Sequence, residues 1–330
     1  MSNSTVPISS LPVGVNIGPF ADAMFVGIML STFLWGITVV QTWNYYNSNT
    51  GSDGWMLKTF VGILFLLDTV TTVLTTDMAH IYLIENFGNL GKLLTLPLAG
   101  VMEVGFNVFI VFLVELFFAR RVYLLNQHQL VMPALITLFG VAGLVSGIFI
   151  VVDISKTPTV PALAKPSMKI ETALCNTFQA ISDLMATFGM SYEFYRNRGQ
   201  IKATNSLLDR LLGFAVARGG LVTIAQFLTL ALYVAEPTKL NWMPVHFMLG
   251  KLCHITMVTI LNSRESMRSR VKGSVVNDSI FNDTVISGRG LGAGGTPYQL
   301  RALPDGKGMT SIHVTHQQTT EYDDAPAKHF

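Results

Sequence analysis

The chain has 330 residues, of which half are hydrophobic and only 13% are charged, and its mean hydropathy is +0.46. So few charged residues cannot cover the surface of a soluble protein of this size. The composition therefore excludes an ordinary soluble domain and indicates a polytopic membrane protein. The net charge of +2 points to no particular partner, and we expect no nucleic-acid binding. Cys175 and Cys253 both fall in apolar stretches, so we expect neither a disulfide between loops nor a zinc site.

Seven apolar stretches are each long enough to cross roughly 30 Å of hydrocarbon as a helix. They predict an all-α membrane domain over residues 20–262, surrounded by the lipid bilayer. The predicted spans cover residues 20–42, 57–78, 97–119, 131–153, 171–194, 211–234 and 242–262.

Basic residues are concentrated in alternate connections between these spans. Arg120 and Arg121 lie on one side, together with the basic cluster after the last span, whereas the segment 1–19 carries no basic residue. The positive-inside rule therefore predicts an outside N-terminus and a cytosolic C-terminus, in a protein of the plasma membrane. We interpret the two arginines as interfacial anchors, with coupling to a cytosolic partner as the alternative.

The end of the chain changes in character after the last span. Residues 263–272 are predicted to form a basic juxtamembrane segment along the inner leaflet. Residues 273–330 are rich in Gly, Ser, Asn and Asp, so we predict a disordered cytosolic tail. The tail and the inner loops are the candidate surfaces for a cytosolic partner.

Polar residues inside the spans are the candidate functional residues. In the second span, Asp68 lies near the membrane midplane, with Thr71, Thr72 and Thr75 along the same helical stripe. The stripe is either structural, with threonines bonded back to their own helix, or part of a site for a ligand, an ion or a proton.

The third and fifth spans carry further polar residues on single faces. Glu103 and Asn107 share a face in the outer half of the third span, and Gln179 and Asp183 share one in the fifth. We expect these faces to point into the bundle.

Other polar or small residues of the spans are assigned structural roles. Arg218 lies close enough to the cytosolic end of the sixth span to snorkel. Glu115 lies near the cytosolic end of the third span, on a different face from Glu103. Gly143 and Gly147 form a G-x-x-x-G spacing that predicts close helix packing, with a homodimer contact as the alternative.

In the last span, Lys251 and His254 share one face near the midplane. Asp68 and Asp183 stand at a matching depth, and the sequence leaves open which of them pairs with the lysine. The candidate polar centre comprises Asp68, Thr72, Glu103, Asn107, Gln179, Asp183, Lys251 and His254, while Arg120, Arg121, Asn262 and Arg264 mark the cytosolic face.

This pattern favours a receptor- or sensor-like protein for an unknown small molecule, without a cofactor and not an enzyme. A solute, ion or proton transporter is the alternative, although the spans show no inverted repeat. A retinal-binding protein is a remote alternative, because a desolvated lysine can form a Schiff base. An intramembrane metallohydrolase is another, but His80 and His246 leave the site short of a third histidine.

Four segments resemble a known family: LLDTVTTVLTTDMAHIYLI, FFARRVYLL, RGGLVTIAQF and KLCHITMVTILNSRESMR. They are similar to seven-helix membrane proteins of mushroom-forming fungi that are catalogued as a domain of unknown function, number 6534. The resemblance implies a fungal origin and a seven-helix fold, but no activity. The family's characteristic positions are taken here by Asp68, Arg121, Tyr123, Lys251, Leu261, Asn262 and Arg264.

Overall fold

The computed structural model describes residues 18–48, 54–86, 89–125, 130–196 and 202–263, so Arg264, the rest of the juxtamembrane segment and the tail lie outside the described residues. In the described part, each predicted span corresponds to one long helix. The helices are α1 (Gly18–Ser48), α2 (Trp55–His80), α3 (Leu98–Leu125), α4 (Val131–Lys156), α5 (Pro166–Arg196), α6 (Lys202–Ala235) and α7 (Met243–Ser263).

Shorter helical turns lie at the ends of the long helices and in their connections. A π turn, Ile81–Glu85, continues α2, and a single helical turn, Leu90–Leu93, precedes α3. Two 3-10 turns, Val160–Ala164 and Pro237–Lys239, lie in the connections before α5 and before α7. The helices extend beyond the predicted bounds, most clearly α6, which begins at Lys202 and not at residue 211.

Six of the seven long helices, all except α5, are long and apolar enough to cross a membrane. Helix α5 is as long as α1 but buries several polar side chains, among them Asn176, Asp183 and Glu193. Large apolar side chains point away from the bundle, such as Phe33 on α1 and Ile224 on α6. These features indicate an all-helical, multi-pass integral membrane protein, as the composition predicts.

Consecutive helices from α1 to α6 pack side by side, and α3 also packs against α5. Helix α7 completes the bundle beside α1 and α3. The Asn262 side-chain amide donates to the Gln41 carbonyl oxygen at 2.9 Å, and Gly250 lies against Asn107. We call the end where α1 begins the N-terminal side, and the opposite end, which carries Arg120 and Arg121, the basic side.

The buried apolar residues form two clusters at different heights. The cluster nearer the basic side includes Tyr45, Phe118 and Met257, and the one nearer the N-terminal side includes Met24 and Trp242. Burial of these side chains, together with close packing, holds the helices in fixed positions.

Two connections on the N-terminal side pair with each other above the bundle. The backbone N–H of Leu96 donates to Pro158 at 2.9 Å, and that of Val160 donates to Leu94 at 2.8 Å. The Tyr233 hydroxyl on α6 donates to the Leu163 carbonyl oxygen at 2.9 Å. We call residues 94–96 and 158–164 the N-terminal cover, because they close this side of the bundle.

The glycines of the G-x-x-x-G spacing pack inside the chain. A methyl group at Gly147 would overlap the side chain of Val108 on α3, and one at Gly143 would lie 2.9 Å from Gln179 Cγ on α5. The predicted close packing is therefore observed between α4 and its own neighbours. A homodimer stays a prediction.

We expect Gly147→Ala to lower the thermal unfolding temperature in detergent, because the new methyl group must displace either Val108 or a helix. Gly36 on α1 is the matched control, since a methyl group there meets nothing within 4 Å. Gly36→Ala should leave the melting temperature unchanged or slightly raised, because alanine is the better helix former by roughly 1 kcal/mol. Equal effects of both substitutions would contradict the close approach of α3 and α4.

Candidate functional site

Lys251, at the centre of α7, forms an ion pair with Asp68 on α2. Its Nζ lies 3.2 Å from Asp68 Oδ1 and 3.1 Å from the Thr71 hydroxyl, and His254 Nδ1 lies 3.3 Å from Asp68 Oδ2. The lysine is 1% exposed, and both Asp68 and His254 are fully buried. The sequence left open whether Lys251 pairs with Asp68 or with Asp183, and in the structure its partner is Asp68. We call Asp68, Thr71, Lys251 and His254 the Lys251 cluster.

Thr71, Thr72 and Thr75 all donate to backbone carbonyl oxygens of their own helix, and Thr71 in addition contacts Lys251. Thr71 accepts from Lys251, whereas the Thr72 hydroxyl donates to the Asp68 carbonyl oxygen at 2.9 Å within its own helix. Thr75 likewise donates to the Thr72 carbonyl oxygen at 2.9 Å. The member of the stripe that joins the cluster is therefore Thr71, and Thr72 supports the helix backbone.

Asp183 does not join the Lys251 cluster but pairs with Arg218 on α6. Arg218 Nη2 lies 2.6 Å from Asp183 Oδ1, and the Gln226 side-chain amide donates to Asp183 Oδ2 at 3.1 Å. The guanidinium also lies 3.7 Å from the centre of the Phe118 ring, a cation–π contact. The prediction of one polar centre containing both aspartates is wrong in this respect.

The prediction that Arg218 snorkels to the cytosolic surface is also wrong. Its side chain is 2% exposed. The reason is the length of α6: because the helix begins at Lys202, Arg218 lies near its middle and cannot reach the surface. An arginine at this depth needs a carboxylate, and Asp183 supplies it.

Glu115 on α3 belongs to the same group of side chains as Asp183 and Arg218. The sequence did not indicate this position for Glu115. The residue is 1% exposed, it interacts electrostatically with Asp183 and Arg218, and neither of its carboxylate oxygens has a hydrogen-bond partner. The nearby Ser182 hydroxyl donates to a backbone carbonyl oxygen instead. Gly140 on α4 leaves the space that this carboxylate fills, which is the sequence signal that points to it.

We call Glu115, Asp183, Arg218 and Gln226 the Arg218 cluster. It contains two carboxylates and one cation, so Glu115 has no counter-charge of its own. Arg218 carries one positive charge and compensates Asp183. A second charged carboxylate in the same apolar surroundings would cost several kcal/mol. We therefore expect Glu115 to hold a proton.

Glu103, Asn107 and His246 form a third cluster nearer the N-terminal side. His246 Nε2 lies 3.3 Å from Glu103 Oε2, and the Asn107 amide donates to Glu103 Oε1 at 3.3 Å. The same amide also donates to the His246 carbonyl oxygen at 2.9 Å. Glu103 and Asn107 share a face as predicted, and their partner is His246 of α7.

A small, partly enclosed cavity of about 50 Å³ lies beside this His246 cluster and beneath the N-terminal cover. That volume is enough for a few water molecules or a very small ligand. Apolar side chains from α3 to α7, among them Val108, Ile154 and Met168, form much of its wall. The polar residues that line it are Asn107, Thr172, Asn176, Gln179, Thr229, Tyr233, Trp242 and His246.

Most polar groups around the cavity already have partners in the protein. Asn176 donates to the Thr172 carbonyl oxygen at 2.9 Å, and Trp242 Nε1 donates to Pro237 at 3.2 Å. Gln179 Nε2 and Asn107 Oδ1 are buried without a hydrogen-bond partner. The carboxamides of Asn107 and Gln179, two residues of the cavity wall, thus retain unused hydrogen-bonding capacity.

The described residues that were predicted to mark the cytosolic face make different contacts. Arg120 is exposed at the end of α3, with Nη1 3.9 Å from Met56 Sδ, a weak contact. Arg121 is half-buried on the next position of the helix. Asn262 connects α7 to Gln41 of α1 and so has a structural role.

The positions of the histidines and of Lys251 do not support the two remote alternatives, an intramembrane metallohydrolase and a retinal-binding protein. Among the described residues, no group of three or more histidine, cysteine, aspartate or glutamate side chains is arranged to hold a metal ion. His246 pairs with Glu103, and His80 lies 3.6 Å from Glu85. Lys251 is engaged by Asp68 and Thr71.

Residues 179–266 match the model of a protein family described as "Family of unknown function (DUF6534)". The matched segment contains Asp183, Arg218 and Lys251, which belong to two of the three clusters. The match confirms, over this part of the chain, the resemblance found in the sequence. No curated protein and no solved structure matches the chain.

The pairing of Lys251 can be tested by a double-mutant cycle in detergent-purified protein. Lys251→Met leaves the Asp68 charge buried and unpaired, which should lower the free energy of unfolding by roughly 3–5 kcal/mol. Asp68→Asn should restore part of this loss in the double mutant, because it removes the unpaired charge. Asp183→Asn is the control and should restore nothing. Rescue by Asp183→Asn, or strictly additive losses with Asp68→Asn, would rule out the observed pairing.

The two carboxylates of the Arg218 cluster should respond differently to conversion to amides. Glu115→Gln preserves the shape of a protonated acid, so the thermal unfolding temperature should stay the same or rise. Asp183→Asn removes the counter-charge of Arg218 and should cost about 3 kcal/mol or more. If Glu115→Gln destabilised the protein as much as Asp183→Asn does, Glu115 would have to be charged.

Proposed function

We propose that the protein is a receptor or sensor of the plasma membrane, not an enzyme, that binds a small ligand in the cavity beneath the N-terminal cover. The observation that carries this proposal is a small, largely apolar cavity whose wall includes the polar side chains of Asn107, Gln179 and His246. Ligand sites in helical bundles are apolar cavities of this kind, in which a few polar groups fix the ligand's orientation. A ligand larger than about 50 Å³ requires the cavity to widen.

The proposal takes the bundle to have seven spans with the N-terminus outside. Helix α5 has 31 residues, so it is long enough to cross the bilayer, and its polar side chains are buried against neighbouring helices. Arg120, Arg121 and Arg196 at the basic side support a cytosolic position for that side. The cavity then opens toward the outside.

The order of layers along the helices favours a receptor over the transporter alternative. On α7, the cavity residue His246 lies nearer the N-terminal side than Lys251, and on α5 Gln179 lies nearer that side than Asp183. Two ion-paired clusters and an apolar cluster thus separate the cavity from the basic side. A transporter would need a path for its solute through these layers.

The two cysteines provide a matched test of access to the cavity. Cys175 lines the cavity, whereas Cys253 is packed in the apolar cluster nearer the basic side. In intact cells, a membrane-impermeant trimethylammonium methanethiosulfonate should label the Cys253→Ala variant, which retains Cys175. The Cys175→Ala variant should not react. The reagent is larger than the cavity, so its reaction rate measures how readily the cavity widens.

Inside-out vesicles distinguish the two functions. For a receptor, neither variant should be labelled from the cytosolic side. Labelling of Cys175 from both sides would favour a transporter instead, because alternating access exposes the site to each side in turn. If Cys175 were unreactive from both sides, the cavity would not be a ligand site reached from water.

A further inference from the structure

A wide groove of about 1010 Å³ runs along the outside of the bundle near the basic side. Its walls are the beginning of α2, the end of α3 and the beginning of α4. Helices α2 and α4 each pack against α3 and, among the described residues, make little contact with each other. Helix α3 is therefore recessed, and Phe60 and Phe117 stack at the bottom of the groove with ring centroids 5.9 Å apart.

The groove matches one leaflet of a bilayer in length. Its lining residues run from Leu130 to Val141 on α4 and from Trp55 to Ile63 on α2. At a rise of 1.5 Å per residue, these stretches are about 16 Å and about 12 Å long. Half of the hydrocarbon core is about 15 Å. An acyl chain lying along the groove would extend from the interface to near the midplane.

Along most of its length, the groove wall has no polar group that needs a hydrogen bond from an occupant. The Thr59 hydroxyl donates to the Trp55 carbonyl oxygen at 3.0 Å, and the Thr137 hydroxyl donates to Pro133 at 2.8 Å. Both hydroxyls are satisfied within their own helices. The remaining wall is mostly hydrocarbon, so the occupant in this part of the groove must be apolar.

Positive charge is concentrated at the interfacial end of the groove. Arg120 lines the groove and also a second recess of about 460 Å³, whose wall includes Arg121. No aspartate or glutamate occurs at positions 54–67, 116–125 or 130–152, which form the surrounding helix segments. An anionic group at this end would meet the exposed guanidinium of Arg120, with Arg121 in the wall of the adjoining recess.

We propose that the groove binds one anionic phospholipid of the leaflet on the basic side. Its acyl chains lie between α2 and α4, and its phosphate and headgroup lie at Arg120 and Arg121. The long apolar wall selects a lipid chain, and the arginines select a negative headgroup over a zwitterionic one. This site is separate from the proposed ligand cavity, which lies on the N-terminal side.

Trp55 is a natural probe of the site, because it lines the groove and is 80% exposed. The full chain is reconstituted in phosphatidylcholine vesicles that contain a small fraction of dibrominated phosphatidylglycerol or dibrominated phosphatidylcholine. Bromine quenches tryptophan fluorescence on contact, and the difference between wild type and Trp55→Phe isolates the signal of Trp55. We expect phosphatidylglycerol to occupy the groove about fivefold more tightly per basic residue that it contacts.

Two charge variants distinguish a site from general attraction of the protein for anionic lipid. Arg120→Gln should reduce the preference for phosphatidylglycerol by about fivefold while leaving the melting temperature unchanged, because the side chain is exposed. Lys156→Gln removes the same charge from the opposite end of α4 and should leave the preference intact. Equal quenching by both lipids in the wild type would overturn the proposal, as would equal losses in the two variants.

Discussion

The cost of placing a charge in hydrocarbon governs this structure. Each ionised group inside the bundle must find an opposite charge on another helix, and the partners found determine which helices are held together. Lys251 and Asp68 connect α7 to α2, while Arg218 and Asp183 connect α6 to α5. A methyl group at Gly219 would overlap Thr187, one turn beyond Asp183, so the second pair lies where α5 and α6 approach closely. Small residues and ion pairs thus act at the same contacts.

The sequence predicts much of this architecture because hydrocarbon thickness sets helix length and because helical periodicity identifies faces. The predicted spans are helical in the described residues, six of them long and apolar enough to cross a membrane, and Lys251 and His254 share a face as expected. Pairing between helices is less predictable, because it depends on depth and tilt. A nine-residue difference in where α6 begins was enough to move Arg218 from the interface to the interior. Its pairing with Asp183 then left Asp68 as the partner of Lys251.

The cavity illustrates a second limit of sequence reasoning. The spacing of Asn107 and Gln179 predicts that both face inward, but nothing in it indicates that the two side chains line the same space. Side chains of five helices line that space. Two connections lie above it, and a backbone bridge joins them at Thr95 and Thr159, which are more than sixty residues apart in the chain. Contacts of this kind depend on three-dimensional packing and leave no periodic signal. For Glu115 the one sequence signal is Gly140 of the next helix, whose meaning depends on how α3 and α4 pack.

The polarity of α5 also bears on how the protein is made. A lone aspartate near the middle of a helix adds about 3 kcal/mol to the cost of its entry into the bilayer from the translocon. Asp183 finds its counter-charge only in α6, 35 residues later in the chain. In the proposed seven-span arrangement, α5 would therefore be retained at the insertion site until α6 has been synthesised, so that the two enter the lipid together as a helical hairpin. The ion pair that stabilises the finished bundle would then also set the order of its assembly.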